Sequence, residues 1–211
     1  MKHKDFIEHA FQRLYERKWL KELIPSSITE AEITAFEHAY QIKFPALFKA
    51  YLTTYKLSSM PHSIVGLVEN SKDKEIKIKM INWHDLTDDS SDLEEDLECF
   101  REEFADWETP LAIEKYKNLF PIGYMDGWYC LDLTQSDGED CPVVFLEYGG
   151  FWEGYYDADG VLHGEQITPN FRTLLEWYFC GTLEEEYEKR NHVTVNYEFY
   201  IAWIQQNFIC Y

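Results

Sequence analysis

Basic residues are scarce in this chain. Its 211 residues include 39 aspartates and glutamates against 19 lysines and arginines, which gives a formal net charge of -20 at pH 7. No lysine or arginine occurs from Asn118 to Phe171, although ten acidic residues lie in that stretch. Because nucleic-acid-binding proteins contact phosphates mainly through lysine and arginine, we expect no nucleic-acid partner.

Long apolar runs are also missing. No stretch reaches the roughly 18 apolar residues that a membrane-spanning helix requires. The opening residues, MKHKDFIEHAFQRLYERK, contain no uninterrupted apolar segment of the kind found in signal peptides. We therefore expect no membrane association and a cytoplasmic location.

Cysteines and histidines are few and scattered. The five cysteines, at positions 99, 130, 141, 180 and 210, form no C-x-x-C pair, and the seven histidines form no H-x-x-x-H pair. This pattern argues against a disulfide framework and against a metal site. We expect the cysteines to be small buried side chains.

Catalytic signatures are absent as well. The sequence contains no G-x-G-x-x-G, Walker or G-x-S-x-G motif. Residues 157–160 resemble part of a calcium loop, but Tyr155 and Gln166 replace two required acids, so we interpret them as a hairpin turn. The sequence predicts a non-enzymatic protein with no catalytic residue, cofactor or metal, and an enzyme is the least favoured alternative.

Aromatic residues, in contrast, are abundant. Seven Trp, 15 Tyr and 14 Phe make up 17% of the chain, and 45% of it is hydrophobic. A disordered acidic chain has a far lower content of such residues, and a chain of this length buries a core without disulfides. The order of predicted elements is helices, strands, helices. It indicates an α+β fold: a mostly antiparallel sheet with a C-terminal meander, packed by N- and C-terminal helices.

Helical spacing of apolar residues predicts a first helix over residues 6–24, ended by Pro25. Another helix is expected to begin at Phe44-Pro45, with proline at its first position, where the missing N–H costs no hydrogen bond. After it, residues 63–69 and 75–81 are predicted to form a hairpin.

A sharper start signal lies between these two helices. Thr29 and Glu32 have the spacing of a capping box, in which each residue binds the other's backbone N–H. Ile28 and Ile33 occupy the two positions of a hydrophobic staple. The pattern predicts that a helix begins here.

The stretch from Asp85 to Glu108 contains twelve acids and one arginine. Its apolar residues nevertheless recur at intervals of four, three, four and three, which predicts an amphipathic helix over residues 91–107 with its carboxylates facing water. The stripe is formed by Leu93, Leu97, Phe100, Phe104 and Trp107.

From Leu119 onward, turn dipeptides separate runs of apolar and aromatic residues. The dipeptides are Asp126-Gly127, Asp137-Gly138, Gly149-Gly150 and Asp159-Gly160. They predict five antiparallel strands near 119–125, 128–134, 142–148, 151–157 and 161–167. A helix opened by Thr168-Pro169 and a last helix near 197–207 follow. Because strand side chains alternate between faces, we expect the acids of this region to crowd one exposed face and the adjoining turns.

Several of these stretches, in this order, resemble the SUKH superfamily. The first two are ITEAEITAFE (28–37) and IKFPALFKAYL (42–52), a capped helix followed by a proline step into the next helix. The later ones are FPIG (120–123), YCLDL (129–133) and PVVFLEY (142–148), which are similar to the family's sheet signature. Residues 171–179 are similar to its closing helix.

The resemblance implies one SUKH-like domain over residues 1–211, with an acidic helical insertion at about 84–108 and an extra C-terminal helix at about 196–208. It also implies a bacterial immunity protein that neutralises a cognate protein toxin, often a nuclease. The alternative is a regulatory or scaffolding module of the cell-wall-assembly-regulator type with a non-toxin partner.

An acidic surface is suited to a basic toxin, because it steers the partner while buried aromatics anchor it. The candidate charge partners are Asp126, Asp137, Glu139, Asp140, Glu147, Glu153, Asp157 and Asp159, and the candidate anchors are Trp128 and Trp152. The other interpretation is that each acid is a solvated turn residue and that both tryptophans belong to the core.

Overall fold

A computed structural model describes residues 2–57, 64–69, 76–83, 86–107, 118–124, 127–147, 163–182 and 185. Within these ranges the chain forms five α-helices and six strands. The helices are α1 (Lys2–Glu16), α2 (Glu30–Tyr40), α3 (Ala46–Thr54), α4 (Ser90–Trp107) and α5 (Phe171–Tyr178). The strands are β1 (Ile64–Glu69), β2 (Ile76–Trp83), β3 (Leu119–Tyr124), β4 (Gly127–Asp132), β5 (Val143–Glu147) and β6 (Glu165–Thr168).

The six strands form one antiparallel sheet in the order β1-β2-β3-β4-β5-β6. The predicted hairpin of β1 and β2 is present, and α4 is inserted in the sequence between β2 and β3. The α+β class is therefore confirmed. The predicted strand over 151–157 and the predicted C-terminal helix lie outside the described residues.

The first helix is shorter than its apolar pattern predicted. It ends at Glu16, and Lys18 follows in a left-handed conformation with φ 61°. The chain turns there, and Trp19 and Leu20 are buried after the turn rather than on a continuing helix. The apolar pattern over residues 6–24 therefore contains two separate sets of core residues, one on α1 and one after the turn.

The start of α2 agrees with its sequence signal. The Glu32 N–H donates to Thr29 Oγ1 at 3.3 Å, and the Thr29 N–H donates to Glu32 Oε2 at 2.8 Å. Ile28 and Ile33 are both buried. The capping box is confirmed. The neighbouring helix α3 begins one residue later than predicted, with Pro45 as its N-cap.

Aromatic rings connect the helices to the sheet. Phe48 of α3 lies 5.7 Å from Phe120 of β3 and 5.4 Å from Phe171 of α5, measured between ring centroids. Phe11 of α1 contacts Phe179, which follows α5, at 5.5 Å in an edge-to-face arrangement, a geometry that aromatic pairs favour. Helices α1, α3 and α5 are thus joined in one core.

The central strands have no exposed acidic face. All six residues of β4 are buried, and β5 is buried until Glu147. Tyr129 contacts Phe145 on one face of the sheet, and on the other face Trp128 contacts Phe100 of α4. The expectation that alternation along these strands would expose a row of acids is wrong, because both faces are covered.

Candidate interaction surface

The connection from β4 to β5 contains three of the predicted site residues. After the short 3₁₀ turn Leu133–Gln135, residues 136–141 form what we call the acidic loop. Gly138 has φ +89°, as the Asp137-Gly138 pair predicted. Asp137 Oδ1 accepts hydrogen bonds of 2.8 Å from the N–H groups of Glu139 and Asp140. These backbone donors lower the pKa of Asp137 and fix the shape of the loop.

Asp140 binds the start of α5. Its carboxylate accepts hydrogen bonds from the N–H groups of Phe171 at 3.0 Å, Arg172 at 3.2 Å and its neighbour Cys141 at 2.8 Å. Burial raises the pKa of Asp140, although these hydrogen bonds act in the opposite direction. The first N–H groups of a helix have no partner within the helix, so Asp140 serves as a cap from a distant part of the chain.

The acidic loop also binds α3 and α1. The carbonyls of Gly138 and Glu139 accept from the N–H groups of Ala46 and Leu47, each at 3.0 Å. Since Pro45 provides no side-chain cap, these carbonyls satisfy the first donors of α3. The Glu139 carboxylate is bound by His3 of α1 at 2.6 Å. One loop therefore contacts the N-terminal turns of three helices.

The predicted charge partners are not gathered at one place. Asp137 and Glu139 are exposed, whereas Asp140 is partly buried in its capping role. Glu147 is exposed at the opposite end of β5, about 13 Å from the start of that strand at the usual rise per residue. The other predicted charge partners lie outside the described residues: Asp126, Glu153, Asp157 and Asp159.

The candidate anchor Trp128 lies in the core. Its exposed fraction is 7%, and its ring packs edge-to-face on Phe100 at 5.3 Å and on Tyr124 at 5.1 Å. This position matches the alternative interpretation of Trp128 as a core residue. Trp152, the second candidate anchor, lies outside the described residues.

An exposed acidic surface that the sequence had not assigned to a partner lies on α4. We call it the α4 face and define it by the exposed side chains of Glu94, Glu95, Glu98 and Glu102. The spacing of Glu94, Glu98 and Glu102 by four residues places them along one side of the helix, away from the buried Leu93, Leu97 and Phe100. The same spacing in the sequence was a signal for this surface.

Tyr40 of α2 lies beside the α4 face. Its hydroxyl donates to Glu94, and the guanidinium of Arg101 lies 5.3 Å from the centroid of its ring. Burial and the hydrogen bond to Glu94 raise the pKa of Tyr40 to about 12. The phenol therefore remains protonated at neutral pH and attaches α2 to the acidic helix.

A buried carboxylate, Asp132, connects the end of β4 to His163, which lies two residues before β6. Its Oδ2 accepts from Gln135 Nε2 at 2.6 Å and from His163 Nδ1 at 2.7 Å, and its Oδ1 accepts from Thr134. The Asp132–His163 pair resembles part of a catalytic triad. The nearby thiols are not activated, because burial raises the pKa of both Cys130 and Cys141. We interpret the network as structural.

The expectation of buried cysteines holds for Cys130, Cys141 and Cys180 and is wrong for Cys99, which is exposed on α4. Cys210 lies outside the described residues. Within the described ranges, no group of three or more histidine, cysteine, aspartate or glutamate side chains is arranged to hold a metal ion. The helices described are also too short or too polar to span a bilayer.

The architecture is that of an α+β fold. Polar groups of the acidic loop bind the first turns of three helices, and exposed acids lie on this loop and on the α4 face. A family model described as SMI1 / KNR4 family (SUKH-1) matches residues 27–177. The chain therefore belongs to this family, which is generally non-catalytic, and the resemblance to the SUKH superfamily is confirmed. No curated protein matches the chain.

Proposed function

We propose that this protein is a non-enzymatic immunity protein that binds a cognate basic toxin, of the nuclease type, and blocks its active cleft. Membership of the SUKH-1 family is the observation that carries the proposal. A nuclease needs a cationic cleft for its own substrate, and a protein of net charge -20 is attracted to such a cleft.

Two groups of exposed carboxylates support a basic partner. The α4 face presents four glutamates within about 12 Å along the helix axis, at 1.5 Å per residue. The acidic loop adds Asp137 and Glu139. The proposed interface also includes Glu147 and the predicted residues outside the described ranges, with Trp152 as the anchor in place of the buried Trp128.

Co-expression with the product of the adjacent gene tests the proposal. We expect a stable complex that suppresses the toxin's activity, with an association rate that falls as salt rises. A complex with a cell-wall or signalling protein that has no toxic activity would instead favour the regulatory alternative.

Charge reversal locates the interface. Glu98→Lys with Glu102→Lys is expected to lower the association rate at low salt by at least about ten-fold, because steering scales with local charge. The matched control is Glu8→Lys with Glu22→Lys, which changes the net charge equally at exposed sites in the N-terminal region. Equal rates for the two double variants would remove the α4 face from the interface.

A further inference from the structure

One carboxylate of the acidic loop is bound by an ionisable side chain rather than by backbone donors. His3 Nε2 lies 2.6 Å from Glu139 Oε2, and the side chains of His3 and Glu139 are 23% and 72% exposed. The other ring nitrogen of His3, Nδ1, is buried without a hydrogen-bond partner in the described part of the chain. In the neutral ring we therefore assign the proton to Nε2, which donates it to Glu139.

From this geometry we propose that His3 is an intramolecular competitor for Glu139. The contact is autoinhibitory, since it occupies Oε2 of Glu139, an oxygen that a cationic partner would otherwise contact, while the rest of this carboxylate stays exposed. This inference rests on the proposed function, in which lysine or arginine side chains of a toxin contact the loop.

Helix α1 presents His3 to the loop in a fixed position. Ile7, Ala10, Phe11 and Leu14 are fully buried, so the helix cannot shift without exposing core. Near its start, the guanidinium carbon of Arg172 lies 3.8 Å from the centroid of the Phe6 ring. His3 thus competes without a large entropic penalty for ordering its own backbone.

The neighbouring carboxylates differ from Glu139 in what they bind. Asp137 accepts two backbone N–H groups and Asp140 accepts three, so removing either one from its partners would leave backbone donors unsatisfied. Glu139 loses only its exposed pair with His3 when a cation binds it. Such a pair is expected to weaken the affinity of the cation by up to about five-fold. Glu139 is therefore the carboxylate of this loop whose bound partner can be removed by a side-chain substitution without freeing a backbone donor.

A deca-lysine peptide serves as the probe, and the backbone amide signals of residues 137–140 report its binding to the loop by NMR. We expect His3→Ala to tighten binding at these amides by about two- to five-fold relative to the unsubstituted protein. In a Glu139→Gln background the same substitution should have no effect, because the masked carboxylate is gone. His9→Ala, at an exposed position of the same helix, is the matched control and should change nothing.

His3→Gln provides a second variant that retains a hydrogen-bonding side chain if the alanine variant folds poorly. Unchanged loop affinity in a folded His3 variant, with the amides still responding to deca-lysine, would overturn the inference alone. Loop amides that respond to deca-lysine in none of the variants would overturn the inference together with the role of the loop in the proposed function. The co-expression experiment with the product of the adjacent gene tests separately whether the protein binds and neutralises a toxin.

Discussion

Arg17, in the turn after α1, donates a hydrogen bond of 2.8 Å from Nη1 to the carbonyl oxygen of Tyr178, the last residue of α5. The same nitrogen lies 3.1 Å from the carbonyl of Phe179. Terminal carbonyls of a helix lack partners within it and carry partial negative charge, so a guanidinium is well placed there. Asp140 binds the other end of α5, and the helix is held at both ends by residues of opposite charge.

Loss of the Arg17 contact is expected to destabilise the protein. Arg17→Ala should lower the free energy of unfolding by about 1.5–3 kcal/mol, the usual range for hydrogen bonds to charged groups. Urea denaturation measures the change. Arg13→Ala is the control, because among the described residues Arg13 pairs with Glu16 at the surface, and the loss of this pair should cost about 1 kcal/mol or less. Equal losses in the two variants would contradict the capping role.

Removal of the Asp140 cap is also expected to destabilise the fold. Asp140→Ala leaves the N–H groups of Phe171 and Arg172 without their acceptor, so we expect a loss of about 1–2 kcal/mol. Thermal unfolding measures the loss. Glu139→Ala, in the same loop, removes a carboxylate whose described partner is the His3 side chain, and it should cost much less. A smaller effect for Asp140→Ala than for Glu139→Ala would show that the distant cap contributes little.

The capping box makes the stability dependent on pH. Hydrogen bonds from the Thr29 side chain and backbone lower the pKa of Glu32 from its ordinary 4.5. A lowered carboxyl pKa stabilises the folded protein above pH 4.5, and the contribution is lost as the pH falls through the lower folded value. We expect the difference in unfolding free energy between the unsubstituted protein and Glu32→Gln to be constant near pH 7 and to shrink below pH 4.5. Urea titrations at several pH values measure it, and a difference that does not change with pH would contradict this assignment.

Two glycines with positive φ should respond differently to alanine. At Gly127, an added Cβ would lie 2.2 Å from the Leu146 carbonyl oxygen and 2.9 Å from the Glu147 Cα, so Gly127→Ala should lose at least about 3 kcal/mol of stability. At Gly138, no atom of the described residues lies within 4 Å of the added Cβ, and the unfavourable feature is the backbone conformation. Gly138→Ala should therefore cost only about 1–2 kcal/mol. Thermal unfolding of both variants provides the comparison, and a reversed order would contradict the described approach of β4 to β5.

Features set by neighbouring residues were predictable from the sequence. The capping box at Thr29 and Glu32 and the amphipathic α4 both depend on contacts within one or two helical turns, and both are present. The end of α1 was not predictable in this way, because Trp19 and Leu20 continue the apolar pattern after the helix has stopped. Periodicity identifies buried residues but does not reveal a turn between them.

The candidate site depends on contacts between residues far apart in the chain, which local sequence patterns do not predict. Asp140 binds N–H groups 31 and 32 residues further along the chain. From the sequence alone it is therefore indistinguishable from an acid at the protein surface. The burial of Trp128 likewise depends on Phe100, which belongs to the separate helix α4. Charge density in a sequence predicts where acids are numerous but not which of them are already bound within the fold.

The acidic loop constrains how proteins with this architecture can diversify. A change in its length or backbone path would disturb α1, α3 and α5 together, since each of these helices is held at its first turn by the same few residues. On the outward side of α4, Glu94 binds Tyr40 of α2, but Glu95, Glu98 and Glu102 hold no helix end in the described part of the chain. New partner specificities can therefore arise there by exchange of single surface side chains, while the loop is held to one shape by the helices that it supports.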